Sequence, residues 1–137
     1  MIFRVVLDSN VIISALFFGG NPQRIIQHAI DGHVHGFTSL PILDEVREVV
    51  QRPKFGLSPD QALSLIEELH ELCILVQPQE QVSVITADPD DNLVLECAIE
   101  AQADIVISGD SHLLDLGSWR GIKMLSPAEA INIIKNS

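Results

Sequence analysis

Val5-Val6-Leu7-Asp8 and Ile105-Val106-Ile107-Ser108-Gly109-Asp110 decide how this chain is read. In each stretch a short apolar run leads within a few residues to an aspartate. Runs of this length without polar alternation mark strands buried on both faces, as in a parallel sheet. Each aspartate then falls at the C-terminal end of its strand, where open α/β sheets bind ligands. Neighbouring strands lie about 4.8 Å apart, so Asp8 and Asp110 can share one site although they are far apart in sequence. Two carboxylates so placed repel, and a cation relieves the repulsion. The pattern points to a metal site.

The 137 residues are read as a single domain, 1–137, able to bury roughly two-thirds of its unfolded surface. An apolar fraction of 47% and a mean hydropathy of +0.28 fit a packed globular protein rather than a disordered one. No apolar run reaches the roughly 18 residues of a membrane span. Met1-Ile2-Phe3-Arg4 runs straight into a strand, without the pattern of a signal peptide. Cys73 and Cys97 are isolated and read as buried, reduced thiols. These features together predict a cytoplasmic protein. The net charge of −11, with only eight Lys and Arg, is unusual for a binder of nucleic acid. It keeps a small protein soluble, and part of it concentrated in one cation site would change sign locally once loaded.

Strand and helix signals alternate along the chain. Phe3–Leu7 reads as a strand and Asn10–Phe17 as a short helix, which Gly19-Gly20 ends. Asn21 is placed to cap a helix with Pro22 at its first position and Gly32 at its end. A strand over His35–Thr38 precedes a helix from Ser39 to Arg52, stopped by Pro53. Ser58-Pro59-Asp60-Gln61 is a capping box opening a helix to Leu72. Ile74–Gln77 and Val82–Ile85 read as short extended pieces. Asp88-Pro89 opens a helix ending near Gln102, with Asp88 as its cap. Strands over Asp104–Ser108 and Ile122–Leu125 follow, and Ser126-Pro127-Ala128-Glu129 is a second capping box. This alternation predicts an α/β fold, a three-layer α/β/α sandwich with a mostly parallel central sheet.

Further acids fall near the same sheet end. On the Ser39–Arg52 helix, Glu45 flanks the apolar stripe of Ile42, Val46, Val49 and Val50, while Asp44 lies across the helix. The wheel alone leaves Glu45 a solvated flank. Asp91 lies two turns before Ala98, on the core side of a helix that also buries Val94, Cys97 and Ala101. Acids are favoured in a first turn by capping and by the helix dipole, which accounts for Asp88 more readily than for Asp91.

Taken in order, Val6-Leu7-Asp8-Ser9-Asn10-Val11, Glu45, Asp88-Pro89-Asp90-Asp91 and Ile107-Ser108-Gly109-Asp110 resemble the PIN-domain family of metal-dependent ribonucleases over essentially the whole chain. The likeness is greatest to the branch described as toxins of toxin–antitoxin systems. Ser14-Ala15-Leu16 before Gly19-Gly20, Arg52-Pro53-Lys54-Phe55 and Ser111-His112-Leu113-Leu114 add to it. The resemblance implies one pocket holding Asp8, Glu45, Asp91 and Asp110 as catalytic and metal-binding residues. It also implies Ser9 and Ser108 as hydroxyls orienting the carboxylates, and Asn10 as a residue hydrogen-bonding the loop. Asp90 and Asp115 sit where some members carry an additional acid.

Carboxylates without thiolate or imidazole suit Mg²⁺ or Mn²⁺, which activate a water towards a phosphodiester. With this chemistry, the resemblance implies an endoribonuclease, with RNA as substrate, a cognate antitoxin protein as partner and, as in many small PIN-like proteins, a homodimer. An apolar surplus between Leu63 and Leu75 offers the dimer face. Arg52, Lys54, Arg120 and Lys123 are the candidate RNA contacts, though any one of them taken alone reads better as an ordinary solvated surface residue. His112 reads as a solvated loop histidine, and Trp119 as an anchor for its loop. A haloacid-dehalogenase-like phosphatase also pairs Asp8 with a late Gly109-Asp110, but it requires a second aspartate where Asn10 stands. It also requires a lysine ahead of the late acids, where none lies between Lys54 and Arg120. A non-catalytic α/β module that binds a partner protein is the remaining alternative.

Overall fold

Val5, Val6 and Leu7 are all buried, as are Ile105, Val106 and Ile107. Alternate strand residues point to opposite faces, so burial of consecutive residues means that both faces of the sheet are covered. The computed structural model describes residues 2–135. Its elements are β1 (Phe3–Leu7), α1 (Ser9–Phe17), α2 (Gly20–Ile30), β2 (Val34–Thr38), α3 (Leu40–Val50), a 3₁₀ turn (Pro53–Phe55) and α4 (Pro59–Leu72). There follow β3 (Ile74–Leu75), α5 (Asp91–Glu100), β4 (Ile105–Ile107), α6 (Ser111–Leu114), β5 (Ser118–Trp119), β6 (Ile122–Leu125) and α7 (Pro127–Lys135).

The six strands are ordered β3-β2-β1-β4-β6-β5, and every pair is parallel except the β5–β6 hairpin. Helices cover both faces, which makes the expected three-layer α/β/α sandwich. The chain leaves β1 towards β2 and β3, then crosses back to place β4 on the other side of β1. The crevice between β1 and β4 is thus the switch point at which such sheets take ligands. The register sets Leu7 beside Ile107, so the residues that follow each strand emerge together.

Both capping boxes form. Ser58 and Gln61 exchange bonds of 2.8 and 3.1 Å at the start of α4, and Ser126 and Glu129 exchange bonds of 3.0 and 3.2 Å at α7. At α2 the cap is Gly19, not Asn21. Gly19 and Gly20 both take positive φ, at 73° and 71°, a conformation that glycine accepts without strain, and the helix starts two residues before Pro22. The α5 helix proper begins at Asp91 rather than Asp88. Residues 88–93 are entered through i→i+3 bonds (Asp91 N to Asp88 O, Asn92 N to Pro89 O, Leu93 N to Asp90 O), a tightened first turn. Val82–Ile85 pairs with no strand. This segment runs along α5 instead, tied by side chains: Val82 N–H donates to Glu96 and Ile85 N–H to Asn92. Ser118 and Trp119, read as loop, form a hairpin with β6 through a turn in which Arg120 and Gly121 take φ of 49° and 78°. That pairing is the inverse-turn chemistry of two-residue hairpins. Cys73 and Cys97 are buried free thiols, and burial raises them to about 11 and about 12.

Asn92 is buried, and its amide closes three bonds: it accepts from Ile85 N and donates to the carbonyls of Ile85 and Pro89. It clamps the segment leading into Asp91. Asn92→Ala strands the buried amide and carbonyl of Ile85, and urea unfolding should show a loss of about 2 kcal/mol.

Candidate metal centre at the sheet switch point

Asp8 follows β1 directly and caps α1, accepting from Val11 N at 2.8 Å through Oδ1. Its other oxygen accepts from the Ser108 hydroxyl, and Ser108 Oγ in turn accepts from Asp110 N at 2.9 Å. One serine at the end of β4 therefore fixes both aspartates. Ser9, the first residue of α1, donates to Glu45 Oε1 at 2.7 Å and holds that carboxylate over the edge of the sheet. Glu45 is half-buried and Asp44 is exposed, so the flank position on the helix wheel points inward.

Asp91 sits in the first turn of α5, and its Oδ2 is buried without a hydrogen-bond partner. Asp110 caps α6 and accepts from His112 N at 2.7 Å. That cap turns the His112 imidazole onto the acids, with Nδ1 3.3 Å from Asp110 Oδ1 and 3.9 Å from Asp91 Oδ2. One ligand atom from each of Asp91, Asp110 and His112 lies within 4.8 Å of the others. His112 is exposed, as expected, but it stands in α6 rather than in a loop and turns its imidazole onto the acids, a placement for which a single helical turn carries no hydrophobic period.

The electrostatics agree with the geometry. Burial holds the Asp8 carboxyl above its ordinary range, and the charges of Asp110 and Glu45 add to this against the lowering effect of the Ser108 and Val11 bonds. Asp91 is pushed up to about 6, first by burial and then by Asp110, Asp88 and Asp8, with His112 acting in the opposite direction. Four carboxylates feel one another here. A buried carboxylate oxygen with no donor, beside the carboxylate of Asp110 and the imidazole of His112, is a donor set that a divalent cation satisfies.

Other candidate residues fall elsewhere. Asn10 is exposed and shows no side-chain hydrogen bond among the described residues, while Asp8 caps the first turn of α1 through Val11 N. Asp8 and Glu45 contribute no atom to that three-residue group and meet it only through their charges and the Ser108 and Ser9 bonds, while Asp90 and Asp115 are exposed and also stay outside it. Lys123 lies beside Ile105, and Arg120 precedes it in the hairpin turn, which puts both at the opposite end of the sheet from the acids. Arg120 is paired there with Glu80 at 2.7 Å and stacked on half-buried Trp119. Arg52 follows α3 two turns past Glu45, about 10 Å along the axis, and reaches Glu48 at 4.0 Å. Lys54 lies over the ring of Phe55.

The sequence model of the PIN domain matches residues 4–112, which include all four acids and His112. The chain belongs to the PIN-domain family. Membership sets aside the phosphatase reading. Two solved structures share the PIN fold: VapBC-1 from nontypeable Haemophilus influenzae, at 16% identity and a TM-score of 0.62 over 91% of this chain and 98% of that one, and DNA-bound VapBC from Salmonella typhimurium, at 14% identity and a TM-score of 0.61 over 92% and 99%. No curated protein matches the chain. No helix among the described residues is long and apolar enough to cross a membrane.

The raised value of Asp91 has a defined consequence for stability. Its folded-state pKa of about 6 lies above the ordinary 3.8, so the metal-free fold holds this proton more tightly than the unfolded chain does. The penalty is absent below the lower value, grows as pH rises between the two, and is full above the upper one. Asp91→Asn should therefore raise the melting temperature of metal-free protein by several degrees at neutral pH, and calorimetry should show the gap closing towards pH 4.

Proposed function

We propose that this PIN domain is a divalent-metal-dependent endoribonuclease in which Asp8, Glu45, Asp91 and Asp110 hold Mg²⁺ or Mn²⁺. The observation that carries the reading is the buried, donor-free Asp91 Oδ2 facing a second carboxylate at the switch point, in a chain of this family. When bound, such ions supply an activated water and balance the charge of a phosphodiester. The chain's own work is positioning. The Ser108 hydroxyl fixes Asp8 by donating to its carboxylate and Asp110 by accepting from its backbone N–H; Ser9 fixes Glu45; Asn92 fixes the segment entering Asp91. Arg52 and Lys54, on the segment continuing from Glu45, are the cations on this side of the chain for an RNA backbone.

The toxin role, with an antitoxin partner, is supported by the likeness to VapBC proteins and by apolar surface left open. On α4 only Ala62 and Leu69 are buried, while Leu63 is exposed and Leu65 half-buried. Leu65 helps line a hollow of about 410 Å³ with Leu16, Phe17 and Leu57. The same surplus supports a homodimer, and the absence of a strong basic patch on one copy favours RNA gripped by two. Light scattering on the free protein should give a dimer mass, and a monomer at tens of micromolar would remove that part. The cytoplasm is the compartment this reading requires.

The purified protein should cut single-stranded RNA with added Mn²⁺ and stop on chelation. Asp8→Asn and Asp110→Asn should each reduce cutting to background with an unchanged circular dichroism spectrum. Undiminished cleavage in either variant rejects the assignment. At a hundredfold excess over its Kd, the ion should stabilise the wild type by about 2.7 kcal/mol.

A further inference from the structure

The four-acid reading describes an ion held by oxygen alone, whereas the ligand atoms that stand within 4.8 Å of one another come from Asp91, Asp110 and His112. We infer that His112 is a nitrogen ligand of the bound ion and makes this chain prefer a first-row transition ion such as Mn²⁺ to Mg²⁺, an inference that rests on the metal-dependent reading above.

The placement of His112 is built, not incidental. Asp110 caps α6 by accepting from the backbone N–H of His112, which fixes the residue in the first turn with its imidazole against the cluster. The Nδ1 atom faces two carboxylates from different elements, 3.3 Å from Asp110 Oδ1 and 3.9 Å from Asp91 Oδ2. With metal–ligand bonds of about 2.1 Å, ligand atoms stand roughly 3 Å apart at a right angle and roughly 4.2 Å apart across the ion. Both distances lie between these limits. A simple ion pair with Asp110 leaves the geometry half explained, because Asp91 Oδ2 is buried with no hydrogen bond although the imidazole stands before it. A shared cation accounts for the convergence of all three ligand atoms, which lie within 4.8 Å of one another.

Ligand chemistry sets the selectivity. Mg²⁺ takes oxygen ligands and gives up its waters reluctantly, whereas transition ions accept imidazole nitrogen readily. An Asp–Asp–His face therefore favours the transition ion where an all-carboxylate face does not discriminate in this way.

Titration calorimetry with Mn²⁺ and with Mg²⁺, on the whole chain and on His112→Ala, reads the preference directly. Loss of the ligand should weaken Mn²⁺ by about tenfold or more, since even outer-shell partners are worth that much, and should change Mg²⁺ far less. His112→Asn sets a carbonyl oxygen where Nδ1 lies, so it should retain Mg²⁺ binding. Electron spin-echo spectra of bound Mn²⁺ should show ¹⁴N modulation in the wild type and lose it in His112→Asn. His112 is half exposed, and circular dichroism checks that both variants fold. An unchanged Mn²⁺/Mg²⁺ ratio in His112→Ala, or ¹⁴N modulation surviving in His112→Asn, overturns this inference alone. A wild type that takes up neither ion overturns the metal-dependent reading and this inference with it.

Discussion

Leu7 lies beside Ile107 in a parallel pair, and the whole site is a consequence of that register. Shifting β4 by one residue would turn Val106 and Ile107 to the opposite faces and carry Ser108 away from Asp8, because side-chain direction in a strand has a period of two. Burial on both faces makes the register costly to change, since a slip of one residue would push fully buried Ile105 or Ile107 towards the edge of the core and draw a charged Asp104 or Asp8 towards it. The apolar core thus fixes carboxylates that would otherwise separate. Hydrophobic burial, not attraction within the site, brings Asp8 and Asp110 together.

The arrangement opposes itself electrostatically, and the supporting hydrogen bonds are disposed accordingly. Asp8 has two donors, Val11 N and Ser108 Oγ, and Glu45 has the Ser9 hydroxyl. Asp91 has none on its buried oxygen, and it is the acid whose proton is held up to about 6. The chain therefore fixes three of its carboxylates with its own donors and leaves the fourth to be satisfied from outside. Fully satisfied, the site would hold a cation weakly; fully unsatisfied, it would strain the fold. One open acceptor at a position clamped by Asn92 is the intermediate arrangement.

What the sequence made legible follows from how local each signal is. The buried strands, both capping boxes and the acids that follow β1 and β4 are written within five or six residues and could be read directly. Glu45 could not be separated from a solvated flank because its partner, Ser9, lies 36 positions away. Val82–Ile85 has the look of a strand, yet its backbone is satisfied by the side chains of Glu96 and Asn92, which no alternation pattern records. Asn92 went unnoticed as a lone polar residue on an apolar helix face. His112 is hard to place from sequence because a single turn of helix carries no periodicity; its signal is Asp110 followed two residues later by histidine, an N-cap that returns an imidazole to its own carboxylate. Arg120 and Lys123 drew attention as cations alone, and only the parallel pairing of β6 with β4 shows that they face the other end of the sheet.

The net charge of −11 is thus distributed with some order. Arg4 is committed to the Ala101 carbonyl and the ring of Phe37, Arg120 to Glu80, and Arg52, just past α3, reaches back to Glu48. The cluster itself contains no Lys or Arg: its acids are fixed by serine hydroxyls and backbone amides, which are neutral. A cationic side chain in the cleft would neutralise the carboxylates permanently and occupy the space that an ion needs. Neutral donors orient the same oxygens and leave their charge intact. The acidity that counts against nucleic-acid binding in the composition is, at this one place, what a divalent cation requires, and a loaded cation reverses its sign where a phosphate would arrive.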